Sequence, residues 1–471
     1  MRRPRVSLYN LGCRVNQYET RETAAELVRR GYRIVPFGQA ADVCVVNTCS
    51  VTHEADAKSR AALRRAARCG GEPLVVATGC YVETAPETVA AMPEVATVAP
   101  NDSKPRLAEI VDDTLRLSGR MLFQDPLSEE DDSDLAVGPP EALGEGQSLI
   151  QLLREGEGSV GRTRAVIKIQ DGCNHFCTFC IIPFTRGRLR SRTPADVLAE
   201  ARELAAVGYR ELVLVGICLG DYGDEKGPAR GERDPLALLI EQLAEIDGID
   251  RIRLSSMDPA DTSADLLATM AAVPQVCPHL HLSLQAGSED VLRRMRRRYT
   301  AGRFRELVGE IYAAMPDAGL TCDVIAGFPG ESETDFKETL RLCEEARFLH
   351  IHAFPYSPRS GTAAARLDDD VSHAEKQARV RELSALSERL GLRFAEERLG
   401  ETVHVLIEQR DRRGLLTGLA PNYLRVTCDG PDEWRGRVVP IRIESAGSGG
   451  AHGSPAPTEP VDLTLVGGPV R

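Results

Sequence analysis

No apolar run in the 471-residue chain approaches the roughly 20 residues needed to cross a bilayer, so no membrane-spanning helix and no membrane partner are expected. Met1 to Tyr9 carries Arg2, Arg3 and Arg5 but lacks the apolar core and small-residue cleavage site of a secretory leader. The expected location is therefore the cytoplasm. An excess of positive charge is also missing. Acidic residues outnumber basic ones by 70 to 58, a formal net charge of −12, which argues against indiscriminate nucleic-acid binding and leaves room only for local basic patches. The remaining composition, 42% hydrophobic and 27% charged, is that of a globular chain. Its length suits two to four domains.

Cysteine, by contrast, is plentiful: there are thirteen. In a reducing compartment they are poor candidates for disulfides, so metal ligation or buried packing must account for them. The runs Val6 to Tyr9, Val43 to Val46 and Leu74 to Ala77 alternate with amphipathic stretches such as Glu22 to Arg30, which predicts a parallel α/β sheet up to about residue 124. Each run ends in a polar turn and then a cysteine, at Cys13, Cys49 and Cys80. Loops that follow parallel strands gather along one sheet edge, so these three thiols can meet. Cys44, Cys69, Cys218, Cys277, Cys322, Cys343 and Cys428 mostly fall within strand or helix patterns and are read as packing residues.

Residues 125 to 160 are rich in Glu, Asp, Gly and Ser, include Pro139 and Pro140, and read as an acidic linker. From 161 to 399, strand-like runs at Ala165 to Gln170, Glu211 to Val215, Arg251 to Leu254, His279 to Leu284, Leu320 to Ala326 and His350 to Phe354 alternate with helical segments. This is a (β/α)6 pattern, a partial TIM barrel. A long helix is expected from a capping box at Ser372 and Glu375 to a stop at Gly400. Residues 400 to 471 read as a small antiparallel β-barrel with strands at Thr402 to Ile407, Leu415 to Leu419, Leu424 to Cys428, Arg437 to Ile443 and Val461 to Val466. Ser445 to Pro460 is read as a loop.

The most specific signal follows the first barrel strand. In DGCNHFCTFC, Cys173, Cys177 and Cys180 have C-x3-C-x2-C spacing. Three soft thiolates suit a four-iron cubane with one iron left open. Zinc needs a fourth ligand, and His175, inside the short loop between Cys173 and Cys177, is awkwardly placed to close a tetrahedron.

This motif, with Phe179 before its last cysteine, resembles that of the radical S-adenosylmethionine superfamily. The segments LGCRVNQYET, NTCSVTHEADAKSR and TGCY resemble the N-terminal domain of the methylthiotransferases within it. GICLGDYG, LSSMDP, LSLQAGS, DVIAGFPGE and FPYSPRSGT extend the likeness along nearly the whole chain. The resemblance implies two 4Fe-4S clusters. One, on Cys173, Cys177 and Cys180, would chelate S-adenosylmethionine and reduce it to a 5'-deoxyadenosyl radical; the other, on Cys13, Cys49 and Cys80, would deliver sulfur. It also places Phe179, Gly216, Ser283, Gln285 and Asp323 at the S-adenosylmethionine pocket, with no catalytic residue beyond the cluster ligands.

The wording VNQYET, SVTHEADAKSR, Tyr81 after Cys80 and KIQDGCN is similar to the branch of the family that puts a 2-methylthio group on N6-threonylcarbamoyladenosine at position 37 of tRNA, beside the anticodon. The expected partners are tRNA, an electron donor such as flavodoxin or ferredoxin, and a sulfur donor. The C-terminal barrel resembles the RNA-binding TRAM domain, with Arg410, Arg412, Arg413, Arg425, Arg435 and Arg437 in or beside its strands and Tyr423 and Trp434 read as stacking residues. Arg186, Arg188, Arg190 and Arg192 form a second basic patch, and Arg293, Arg294, Arg296, Arg297 and Arg298 a third. Three alternatives stay open: the isopentenyladenosine branch, the branch that modifies a ribosomal-protein aspartate, and a two-cluster electron carrier or redox-responsive RNA-binding regulator.

Overall fold

A computed structural model describes residues 3–119, 164–224, 233–447 and 449–456. The chain divides into two compact units. One comprises Met1–Gly161 with the segments Cys180–Arg188 and Arg359–Gly361; the other comprises Arg162–Phe179, Leu189–Pro358 and Thr362–Arg471. The acidic linker and Val461 to Val466 lie outside the described residues. Among the described residues no helix is long and apolar enough to cross a membrane.

The first unit is built on a five-stranded sheet in the order Arg33–Ile34, Arg5–Asn10, Val43–Thr48, Leu74–Gly79, Thr97–Ala99, with every pairing parallel. Its central strand is buried along its whole length, as a parallel strand covered on both faces must be. Val43 and Val45 pack with Leu27, Leu107 and Val111 on one face, and Cys44 and Val46 pack with Leu63, Val75 and Ala77 on the other. Period-2 alternation thus assigns each side chain its layer. The two edge strands were not expected, because two or three residues are too few to show a period.

The second unit contains the expected six parallel strands, Arg164–Lys168, Glu211–Val215, Arg251–Leu254, His279–Gln285, Gly319–Ala326 and His350–Pro355. The first three form one sheet, and the last three form another with the short strand Ser256–Met257. Arg251–Leu254 leads through Ser255 into that short strand, and Ile252 also bridges Val276, so the wall curves from one sheet into the next. No pairing joins Arg164–Lys168 to His350–Pro355 among the described residues, which leaves a partial barrel. The long helix runs His373–Glu396 behind the expected Ser372 and Glu375 capping box.

The C-terminal strands close into a five-stranded barrel around Val405, Ile407, Leu416, Leu424, Val426, Val439 and Ile441. One seam, between Arg425–Cys428 and Gly450–Pro455, is parallel. Here the reading of Ser445 to Pro460 as a loop is corrected. The strand Val438–Gly447 runs into it, and Gly450–Pro455 is the fifth strand. Glycine-rich composition suggested a loop, but small residues are what this seam requires. Ala451 fills the core, and a Cβ at Gly450 would collide with the Arg425 carbonyl.

The small barrel is fastened to the starts of the large barrel's strands. Arg253 is 0% exposed and donates to Glu211, 1% exposed, at 2.8 Å, and to the Pro421 carbonyl at 2.9 Å. Arg251 donates to the His404 carbonyl at 2.7 Å, and Arg164 pairs with Glu408 at 2.7 Å. Tyr423 stacks on His279 with ring centroids 4.2 Å apart. Tyr423 is therefore committed to packing, which corrects its reading as a base-stacking residue. Trp434 is likewise half-buried against the small barrel's core. Because truncating one partner of a buried pair strands the other's charge, Arg253→Ala is expected to destabilise this unit by about 3–5 kcal/mol. Chemical denaturation followed through the His279 and Tyr423 region checks this, and a change within 1 kcal/mol of zero, far less than the roughly 3 kcal/mol minimum expected, contradicts it.

Candidate active site

The large barrel's first strand ends at a hub. Gln170, fully buried, donates to the carbonyls of Asp171 and Gly172 at 2.9 and 2.7 Å and accepts from the Cys218 backbone N–H at 2.8 Å. It thereby ties the cysteine loop to the GICLGDYG segment. Gly216 is required here, since a Cβ would come within 2.8 Å of the Gln170 amide oxygen. In the loop, Cys173 and Cys177 are half-buried, and Phe176 adopts a left-handed backbone, φ 48°. Strain of that kind in a non-glycine residue is common at functional loops.

The two thiols sit in different fields. A hydrogen bond from Cys218 holds the Cys173 thiol down to about 6 against the effect of burial, with help from the His175 backbone N–H and imidazole. Cys218 is raised in return, so it keeps the proton that Cys173 gives up. At Cys177 burial dominates and raises the thiol, while the Arg297 guanidinium, 3.2 Å from its Sγ, partly offsets it. Arg297 is buried, pairs with Asp258 at 2.7 Å and donates to the Ser283 carbonyl at 2.8 Å. His175 meets Asp221 at 2.6 Å, and burial of its ring is outweighed by that bond and by the charge of Cys173, so the imidazole is raised. One donor atom each from Cys173, His175 and Cys218 lies within 4.8 Å of the others. Cys218 is thus more than the packing residue its sequence position suggested.

Ser283 and Gln285 end the fourth long strand, where Gln285 takes a left-handed backbone, φ 67°, at a break in register. Ser283 donates to the Met257 carbonyl at 3.2 Å. Asp323 lies deeper in its strand, and its carboxylate meets His281 at 3.1 Å. Phe179 is half-buried.

Cys180 belongs to the first unit, in the segment Cys180–Arg188. In the same unit Cys13 caps the helix Arg14–Arg29, Cys49 follows the strand Val43–Thr48 and Cys80 opens the turn after Leu74–Gly79. The three thiols are neighbours. Burial, helped by the charges of Cys80 and Cys13, raises Cys49 to about 11. Gly12 packs onto Cys49, with an added Cβ 2.8 Å from its Sγ, and Gly79 takes φ 99° where a Cβ would strike the Thr48 carbonyl. Glycine at both positions lets these loops close up.

Beneath the triad lies a buried charge network that the sequence did not announce. Glu19 accepts from Arg186 at 2.8 Å and from Lys104 at 2.6 Å. Asp56 accepts from Arg359 at 2.7 Å, and Ser50, next to Cys49, donates to Asp56 at 2.7 Å. Arg186 is thereby removed from the expected basic patch. Arg190 and Arg192 pair with Asp171 and Glu200, and Arg293, Arg297 and Arg298 with Asp290, Asp258 and Asp261. Of these only Arg297 has a buried side chain; Arg190, Arg293 and Arg298 stay substantially exposed in surface ion pairs.

The pattern described as Radical SAM superfamily matches residues 167–343, and that described as Uncharacterized protein family UPF0004 matches residues 5–99. The chain is 36% identical over 451 residues to a Bacillus subtilis (strain 168) protein named threonylcarbamoyladenosine tRNA methylthiotransferase MtaB, covering 94% of each. It is 38% identical over 445 residues to a Salinispora tropica protein named ribosomal protein uS12 methylthiotransferase RimO, covering 88% of this chain and 86% of that one. A solved radical S-adenosylmethionine methyltransferase, TsrM from Kitasatospora setae, shares the fold with a TM-score of 0.52 at 14% identity, covering 91% of this chain and 82% of that one. With a cysteine loop at the top of a partial barrel, a parallel sheet bearing three converging thiols, and likeness to a methylthiotransferase over 94% of its length, the chain belongs to the radical S-adenosylmethionine methylthiotransferase family.

Proposed function

We propose that this enzyme installs a 2-methylthio group on N6-threonylcarbamoyladenosine at position 37 of tRNA. The observation that carries this reading is the likeness over 94% of the chain to a protein named for that reaction, joined to the VNQYET and SVTHEADAKSR segments at the first-unit thiols. The donor sets fit iron-sulfur chemistry: thiols only, partly open to solvent at Cys173, Cys177, Cys180 and Cys13, and ionised readily at Cys173. Cys173, Cys177 and Cys180 would hold one 4Fe-4S cluster, and Cys13, Cys49 and Cys80 the other. When bound, these groups supply the electron that cleaves S-adenosylmethionine and the sulfur that is transferred.

The chain's own residues position and shield. Arg297 places a buried positive charge against the Cys177 sulfur, which favours its thiolate. Gln170 fixes the spacing between the cysteine loop and Gly216. Gly216, Ser283, Gln285 and Phe179 would border S-adenosylmethionine.

Nucleoside mass spectrometry of tRNA from cells lacking and regaining this gene tests the reading. The methylthio form of threonylcarbamoyladenosine should vanish and return. Loss of methylthio-isopentenyladenosine instead, or of a methylthio mark on a ribosomal-protein aspartate, assigns the chain to a sister branch, and no change favours an electron carrier or regulator.

With Arg186 and Arg297 buried in ion pairs, tRNA contact is expected to include the exposed Arg412, Arg413 and Arg425 of the small barrel. Replacing these three with Glu should weaken tRNA binding and flatten its dependence on salt by about one unit of log–log slope per arginine that meets phosphate. Filter binding across a salt series checks this, and an unaltered slope removes these residues from the interface.

A further inference from the structure

The helix Glu289–Arg294 ends in a turn closed by a left-handed residue. The Arg296 N–H donates to the Arg293 carbonyl at 3.0 Å and the Arg297 N–H to the Leu292 carbonyl at 2.9 Å. Glycine is the usual residue at the left-handed position, yet Arg296 holds it, φ 55°. Carbonyls left over at this helix end are taken by the cysteine loop. Thr178 donates from its backbone N–H to the Met295 carbonyl at 3.0 Å and from its hydroxyl to the Arg294 carbonyl at 2.9 Å. The turn thus grips the residue that follows Cys177, while Arg297 reaches back to the Cys177 sulfur at 3.2 Å.

The guanidinium is fixed on every side the structure describes. Its side chain is 5% exposed, its other amino group donates to the Ser283 carbonyl at 2.8 Å and pairs with Asp258 at 2.7 Å, and it lies 5.1 Å from the centre of the Tyr299 ring. Asp258, also buried, is held in turn by the Ala260 backbone N–H at 3.0 Å. The two charges do not cancel at the sulfur. Arg297 touches it directly, and its lowering of the Cys177 thiol outweighs the rise that Asp258 causes. Cys173, by contrast, is met by the Cys218 thiol and the His175 backbone N–H.

An N–H···S bond and a buried cation both favour the state with more negative charge at the sulfur, which for an iron-sulfur cluster is the reduced state. We propose that Arg297 sets the reduction potential of the cluster held by Cys173, Cys177 and Cys180, raising it toward that of a flavodoxin- or ferredoxin-type donor, and that Asp258 limits the rise. One electron leaves the donor, which is oxidised, and enters the cluster, which is reduced. No proton accompanies it, so fixed groups must balance the added charge, and Arg297 is a cation already in place. The proposal rests on the reading that these three cysteines hold a cluster. It makes Arg297 a positioning residue that acts through Cys177, with Asp258 as its counterweight.

The test reconstitutes full-length protein with iron and sulfide and titrates it at controlled potential, without S-adenosylmethionine, under electron paramagnetic resonance. The signal followed is the one that survives in the variant with alanine at Cys13, Cys49 and Cys80. Arg297→Met should lower the ratio of reduced to oxidised cluster at fixed potential by about tenfold, which is about 59 mV for a one-electron couple. Asp258→Asn keeps the shape and removes the opposing charge, so it should shift the ratio the other way. Arg297→Lys, which keeps the charge without the planar fork, should fall between the parent and Arg297→Met. Iron content is measured first in each variant, and if Arg297→Met holds no cluster, Arg297→Lys and Asp258→Asn decide the matter. Ratios within about twofold of the parent in the cluster-bearing variants overturn the inference, as does a shift of the same sign on removing either charge. If the parent's signal persists when Cys173, Cys177 and Cys180 are replaced, the cluster reading fails first and Arg297 has nothing to tune.

Discussion

Replacing Cys173, Cys177 and Cys180 together with alanine is expected to lower the iron content of anaerobically reconstituted protein from about eight to about four per chain, since each three-thiolate set suits one four-iron cubane. Formation of 5'-deoxyadenosine should fall below detection. The effect is all or none because the metal-ligating groups left beside this site, His175, Cys218, Asp221 and Asp261, offer one thiol and not the three thiolates that a cubane with an open iron takes. Iron analysis with 5'-deoxyadenosine assay decides the matter. A triple variant that keeps the parent's iron sinks the assignment, and one that loses iron but still cleaves S-adenosylmethionine moves radical generation elsewhere.

Alanine at Cys13, Cys49 and Cys80 should fail differently. These thiols belong to the parallel sheet of the first unit, and the Cys173 and Cys177 loop is braced by Gln170 and Arg297 of the second. Reductive cleavage of S-adenosylmethionine should therefore remain measurable while methylthio product on threonylcarbamoyl tRNA disappears, a loss of more than about a thousandfold, or more than about 4 kcal/mol of transition-state stabilisation. Quantifying both products in one incubation provides the comparison. Normal methylthio yield over many turnovers would return these three cysteines to packing. Because the triad stands over the Glu19, Arg186 and Lys104 network, each single serine variant should accompany the triple variant as a check on folding.

The parts of the fold that were legible in the sequence are those with local causes. Val43 to Val46 announced a central strand because a strand buried on both faces must be apolar throughout, and Ser372 with Glu375 announced a helix start because a capping box is closed within one turn. The cysteines that converge after three parallel strands were readable for the same reason. What escaped was non-local. Arg186 and Glu19 are 167 positions apart, and Arg359 and Asp56 303, so nothing in either neighbourhood distinguishes a buried partner from a solvated charge. Gly450 to Pro455 escaped because small residues that permit close strand approach have the composition of a loop.

The fastening of the small barrel bears on how such enzymes can be recombined. Its contact runs through Glu211, Arg251, Arg253 and His279, all at or near the beginnings of the large barrel's strands, and through backbone carbonyls of residues 404 and 419–421. A close fit extends to Gly319, where any side chain would overlap the Asn422 carbonyl. The small barrel is thus a floor rather than a removable appendage. A chimera that exchanges only residues 402–456 for those of another branch would leave two arginines and a glutamate facing foreign loops. One that carries Glu211, Arg251, Arg253, His279 and Gly319 along with the graft keeps the joint intact, and such grafts are the ones expected to transfer RNA preference without unfolding the barrel above.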